Sequence, residues 1–264
     1  MAKGTGLAAF SRRFPERFFV VGIAEEHAVT FAGGLSAGGL LPVVCIYSTF
    51  IQRAVDQIIH DIALQKAHII LVLDRSGPVP GDGETHQGLF DISLLRPVPG
   101  IQLLCPASAA DLSLCLEYAA AQQNACVIRY PKLSCPTEEN AFSEPVNTGR
   151  GVLVKAESYT PSLSAQFDDI PEDRQMRVLF VCTGGMYAET LVAARSLILK
   201  NIYADIYCLR FIKPVDENYL QNLASGYDGC VFVEDGVITG GIAEYLADGM
   251  RRDGLKNTAV KAFP

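Results

Sequence analysis

Apolar runs bounded by Gly and Pro alternate along this chain with stretches of helical spacing. FFVVGI (18–23) reads as a fully buried strand. AEEHAVTFAGGLSAGG (24–39) follows with helical spacing and ends in glycines. PVVCIYSTF (42–50) is the next apolar run. IQRAVDQIIHDIALQK (51–66) is the clearest helix, because Ile51, Ala54, Val55, Ile58, Ile59 and Ile62 fall on one face. Strands are predicted at HIILVLD (68–74), IQLLCP (101–106) and ACVIRY (125–130). A helix is predicted at 108–122, with Ser108 as its N-cap and Asp111 in its first turn. Between the strands, RSGPVPGDGETHQG (75–88) is a Gly- and Pro-rich irregular loop.

The second half repeats the alternation after a break. Residues 136–176 are polar and Pro-containing, a linker with an insertion at 158–175 around a short strand, GVLVKAE (151–157). Strands then follow at 177–184, within IYADIYCLRFIKP and at 230–236, with helices at 188–200 and 241–252. The expected class is α/β, with two domains, each a mostly parallel sheet covered by helices. The boundaries are 1–135, a linker at 136–176, and 177–264. The chain stops in a strand-like VKAFP, which suggests truncation of the second domain. In such sheets ligands bind beyond the carboxyl ends of the strands, which points to Glu25, to 47–53 and to loop 75–88.

Composition narrows the possible partners. The formal net charge of −7 disfavours nucleic acid and anionic membrane. No apolar run approaches the ~18 residues of a membrane span, and the charged start is no secretory signal, so a cytoplasmic protein is expected. The eight cysteines, at 45, 105, 115, 126, 135, 182, 208 and 230, lack zinc spacing and read as buried free thiols.

An acid at the start of a helix usually just complements the helix dipole, and that is the bland reading of Glu25. Its company changes the reading. VGIAEEHAVTFAGG, YSTFIQRAVDQIIHDIALQK, GDGETHQG, RYP, RFIKPVDE and VFVEDGVITGG together resemble the 1-deoxy-D-xylulose-5-phosphate synthase family, among the transketolase-like thiamine-diphosphate enzymes. The resemblance covers nearly the whole chain. It implies that Glu25 is catalytic and binds the cofactor, hydrogen-bonding a ring nitrogen of the aminopyrimidine so that the cofactor can lose its thiazolium proton. For that the acid needs an apolar site in which to hold a proton. Phe50 matches the aromatic packed on the pyrimidine. Tyr47, Arg75, Asp82 and His86 match positions facing the substrates pyruvate and D-glyceraldehyde 3-phosphate, with His86 also a catalytic proton or hydrogen-bond donor. Arg53 either lines the site or forms an ion pair behind it. Glu26 reads as helix surface, His60 and His68 as structural, and the role of His27 is open.

The family shows RYPR where this chain has RYPK, so Lys132 keeps the phosphate-directed charge but loses the bidentate fork. Val20 stands where the family has Asp. The family's Gly-Asp-Gly and Asn motif, which holds Mg2+ and the diphosphate, is not found here; the Gly-Asp-Gly at 81–83 is a different loop. The resemblance therefore implies a missing N-terminal half or partner subunit, a homodimer, and a chain inactive alone. The alternatives are a beta-type subunit of an alpha-ketoacid dehydrogenase or split transketolase, and a non-catalytic assembly remnant.

Overall fold

The computed structural model describes residues 4–133, 140–159, 176–252, 254 and 257–263. The helices are α1 (Ala8–Arg13), α2 (Glu25–Ala37), a helical run α3 over 48–63, α4 (Asp91–Leu95), α5 (Ala109–Ala120), α6 (Ala156–Tyr159), α7 (Tyr187–Ile198), α8 (Glu217–Ala224) and α9 (Ile242–Arg252). The strands are β1 (Val43–Tyr47), β2 (Ile70–Asp74), β3 (Gln102–Leu104), β4 (Cys126–Tyr130), β5 (Val152–Val154), β6 (Met176–Thr183), β7 (Ile202–Leu209), β8 (Phe211–Lys213), β9 (Gly229–Val237) and β10 (Thr258–Phe263).

They form two five-stranded sheets, in the orders β1-β2-β4-β3-β8 and β10-β9-β6-β7-β5. Each is parallel except for one edge strand: β8 runs antiparallel to β3, and β5 antiparallel to β7. This is the expected α/β architecture. β2 is buried at every position, as a parallel strand covered on both faces must be. Ser108 caps α5 as expected, its side chain accepting a hydrogen bond from the Asp111 amide.

Four expectations need correction. Residues 18–23 form no strand, and Phe19, Val20 and Ile23 are exposed. An apolar run shows that a cover is needed, not that it lies within the same chain segment. Glu25 opens a helix as expected, in the first turn of α2, but no strand precedes it. The helix expected at 51–66 begins at Ser48 and is irregular: α-helix Ser48–Ile51, a 3-10 turn Gln52–Ala54, α-helix Val55–Gln57 and a π-helical stretch Ile58–Ala63. Of its predicted apolar face, Ile51, Ala54, Ile58 and Ile62 are fully buried. The strand expected at 151–157 is only β5, and α6 begins at Ala156. The single strand expected in IYADIYCLRFIKP is two, β7 and β8, in different sheets. Residues 160–175 of the insertion, and Cys135, lie outside the described residues.

That split ties the two halves together. The chain leaves the second sheet at Leu209, turns at Arg210 and enters the first sheet at Phe211. Arg210 is buried; its Nε donates to Asp111 Oδ1 at 2.6 Å, and its Nη1 and Nη2 donate to the carbonyls of Pro145 and Phe142. One core of buried apolar side chains runs from Val29 and Ile62 through Leu71 and Ile212 to Phe232 and Leu246, spanning both sheets. Among the described cysteines all are free, and all but the half-buried Cys45 are buried.

Glu234, near the end of β9, is buried, and its Oε2 accepts a hydrogen bond from Ala243 N in the first turn of α9 at 2.8 Å. Burial pushes its carboxyl from 4.5 up to about 7, although that amide and Arg129 pull the other way. Folding therefore takes up a proton here between those two values. The stability the group contributes is fully present below its unfolded value and is lost as pH rises through about 7. The difference is on the order of 3 kcal/mol. Urea unfolding of Glu234→Gln should show a flatter dependence of stability on pH between about 5 and 7 than the parent. An unaltered slope would mean that Glu234 is ionised in the folded chain.

Candidate active site

The carboxyl ends of β1 and β2 meet the start of α2 and loop 75–88. Five side chains form an aromatic and ionic corner there. Glu25 is 1% exposed, so its carboxyl is almost wholly withdrawn from water. Arg53 Nη1 reaches Glu25 Oε2 at 3.2 Å, while Glu25 Oε1 has no hydrogen-bond partner among the described residues. The pocket is thus buried, as the sequence led us to expect, but not wholly apolar, because a guanidinium stands on one side of the acid. Arg53 also lies over the ring of Phe50, 4.8 Å from its centroid. Of the two roles left open for Arg53, the ion pair with the acid is present. Phe50 stacks on Tyr47 at 5.8 Å and meets His86 edge-on at 5.4 Å.

The second half of the site is a charge cluster. Arg75 lies over the Tyr47 ring, 3.9 Å from its centroid. It is bonded to Asp74 at 2.5 Å and to Asp82 at 3.2 Å. Lys132 forms a short ion pair with the other oxygen of Asp82. Hydrogen bonding from Lys132, and then from Arg75, holds the Asp82 carboxyl below the usual range. Burial instead pushes the Asp74 carboxyl up, against the pull of Arg75. Arg75 has φ +62°, a left-handed conformation that a long side chain adopts at a cost of about 1 kcal/mol or more. That turn swings the guanidinium out of the strand direction and onto Tyr47.

Loop 75–88 is built to hold its shape. Gly77 and Gly88 exchange backbone hydrogen bonds of 2.8 and 2.9 Å, closing its neck. A Cβ on Gly88 would collide with the Arg75 carbonyl, so glycine is required there. Gln87 braces the interior, accepting from Val79 N at 2.7 Å and donating to Gly83 O at 2.8 Å. Thr49 Oγ1 donates to Thr85 O, tying the loop to α3.

All eight residues singled out in the sequence therefore converge: Glu25, Tyr47, Phe50, Arg53, Arg75, Asp82, His86 and Lys132. His27 does not join them; it stacks on Phe31 on the exposed face of α2. Glu26 is exposed, as expected. His60 pairs with Asp56 at the surface, and His68 contacts the Ala119 carbonyl. The residues that sequence reasoning missed lie beneath the site. Arg129 on β4 is fully buried and pairs with Asp91 at 2.9 Å and with Asp235 at 2.7 Å. The available signal was a charge inside an otherwise apolar strand, CVIRY, which demands a buried partner.

Residues 1–137 match the family model of the transketolase pyrimidine-binding domain, and 170–262 that of the transketolase C-terminal domain. The chain belongs to the transketolase family. Among curated proteins it is similar to 1-deoxy-D-xylulose-5-phosphate synthase of Treponema pallidum (strain Nichols), 56% identical over 93% of this chain and 36% of that protein. It is also similar to the synthase of the same name from Dictyoglomus thermophilum, 43% identical over 92% of this chain and 36% of that protein. The chain thus spans little more than a third of the length of these relatives. A solved split-gene transketolase, described as an inactive beta4 tetramer, superposes with a TM-score of 0.80 at 25% identity, covering 99% of this chain and 80% of that one. The two matched ranges include residues of every strand in both sheets except the edge strand β5 (Val152–Val154), and no described helix is long and apolar enough to cross a membrane.

Proposed function

We propose that this chain is the pyrimidine-binding and C-terminal part of a thiamine-diphosphate transferase that joins pyruvate, with loss of carbon dioxide, to D-glyceraldehyde 3-phosphate, forming 1-deoxy-D-xylulose 5-phosphate. The observation that carries this reading is the Glu25 corner. A buried carboxyl with one oxygen anchored by Arg53, which itself lies over the ring of Phe50, and the other oxygen without a hydrogen-bond partner among the described residues, fits an aminopyrimidine. When bound, thiamine diphosphate supplies an acidic thiazolium carbon whose deprotonation provides the nucleophile for the ketoacid.

The chain's own residues would do the rest. Glu25 Oε1 holds or passes a proton at a pyrimidine ring nitrogen, and Phe50 fixes the ring plane. Arg75 and Lys132 present positive charge to a substrate phosphate, sharing it at present with Asp82. His86 stands over Phe50, where it can donate to an oxygen developing negative charge. The diphosphate and its Mg2+ would be held by residues outside these 264, in an N-terminal half or a partner subunit. The likeness to a split-gene transketolase described as an inactive beta4 tetramer supports self-association, as a homodimer or larger assembly.

The test is reconstitution. The chain should show no turnover by itself. Mixed with the diphosphate-binding half of a related synthase, thiamine diphosphate and Mg2+, it should convert pyruvate and D-glyceraldehyde 3-phosphate to the five-carbon product. If the mixture instead acylated a lipoyl acceptor or moved two-carbon units between sugar phosphates, the substrate assignment would fall and the beta-subunit or split-transketolase alternative would stand.

A further inference from the structure

The second domain contributes none of the eight site residues, yet it touches loop 75–88, which carries three of them, Arg75, Asp82 and His86. Three contacts converge on the neck of loop 75–88. Gly77 packs so closely on Asp235 that a Cβ there would come within 2.8 Å of Asp235 Oδ2. Val237 N donates to Leu89 O at 3.1 Å, just past Gly88. Asp91, two residues further, is joined to Asp235 through Arg129, whose Nε reaches Asp91 Oδ2 and whose Nη1 reaches Asp235 Oδ1. Thr183 Oγ1, at the end of β6, donates to the same Asp235 oxygen at 2.8 Å and fixes its rotamer from the other side. Arg129, Asp91 and Asp235 are all buried.

We propose that Asp235 is a positioning residue for the active-site loop: through Arg129 and its contact with Gly77, it holds the loop neck, and so places Asp82 and His86 from the second domain. The physical reason is geometric. A loop bearing polar residues over a solvent-facing site has few apolar contacts of its own, so its neck must be fixed elsewhere. A buried charge with two hydrogen-bonded partners fixes angles as well as distance, which an apolar contact does not. The small residues fit this role. Gly77 and Gly185 flank Asp235, and a Cβ on either would displace it. The clamp is defined by geometry alone, while its consequence for turnover rests on the thiamine-diphosphate reading.

Hydrogen exchange on the full chain tests the clamp without cofactor. Asp235→Asn keeps the shape but removes the charge, and Thr183→Val removes only the hydroxyl that orients it. In Asp235→Asn the amides of Gly77, Gly88 and Val237 should exchange about tenfold faster or more, with those of β2 and β7 little changed. Thr183→Val should act on the same amides by about threefold. Unchanged neck amides in both variants, or equal acceleration across both sheets in both, would overturn the proposal; if Asp235→Asn fails to fold, Thr183→Val decides. In the reconstituted enzyme, Asp235→Asn should lower kcat/KM for the phosphorylated aldehyde by about tenfold, with a smaller change in the Kd for thiamine diphosphate. Equal losses in both would indicate a general structural role and count against it. Neck amides that respond in a chain that never gains synthase activity would leave the clamp standing and remove the thiamine reading. Activity without a neck response would do the reverse.

Discussion

Turnover of the reconstituted enzyme is expected to fall about 10²-fold or more in Glu25→Gln, the scale of losing a positioned proton-transfer group, or roughly 2.7 kcal/mol of barrier. Gln keeps the length of the side chain and can still accept from Arg53, but it cannot cycle a proton with a ring nitrogen. The fold should hold, because the first turn of α2 loses little helix propensity with Gln in place of Glu. Proton–deuterium exchange at the thiazolium carbon should slow in parallel, since that step precedes any substrate. Glu26→Gln, one residue along the helix and exposed, is the control and should be nearly silent. If Glu26→Gln were the damaging change, the pairing of Arg53 with Glu25 would have pointed to the wrong acid. If both were silent and exchange stayed fast, the thiamine assignment would fail.

The largest effect on stability is expected at Arg210, where the chain crosses between the sheets. Arg210→Met strips Asp111 of its ionic partner and leaves the Pro145 and Phe142 carbonyls without their donor. Removing one member of a buried pair costs about 3–5 kcal/mol, because the remaining charge stays buried. That is a large share of the 5–15 kcal/mol that holds a typical native chain together. Urea unfolding should show a loss of that size, with Lys200→Met, at an exposed position just past α7, within about 0.5 kcal/mol of the parent. Adding Asp111→Asn to Arg210→Met should cost less than the sum of the two single changes. Additive losses would mean that the pair is not coupled and that the crossing is held by packing alone.

The difference between these two experiments reflects what can be read from one dimension. The Glu25 corner was legible because its residues lie in contiguous blocks, IAEEH, YSTFIQR and GDGETHQG, whose order along the chain matches a known family. YSTFIQR also sits at the carboxyl end of β1, and GDGETHQG lies in the loop that leaves β2, where α/β sheets bind ligands. The helices were legible for the reason that periodicity usually works, since α5 and α9 bury faces spaced at the helical repeat, while β2 was legible as a short unbroken apolar run, buried at every position. The same rule failed at FFVVGI, because apolarity measures a demand for cover and not the element that answers it.

Only the tertiary structure decided the rest. It placed Arg53 against Glu25, gave Arg75 its left-handed turn onto Tyr47, and balanced Asp82 between two cations. It sent β7 and β8 into different sheets, and it joined Arg129, already paired with Asp91, to Asp235 across a sequence separation of 106 residues. Periodicity reports which face of an element is buried, and motifs report which residues travel together. Neither reports which buried charge faces which, because that depends on how two sheets, each consistent with its own pattern, are set against one another. The sequence alone determined the α/β class, the family and the blocks from which the candidate site is drawn; the packing of the second domain against the first determined what lies against the neck of loop 75–88.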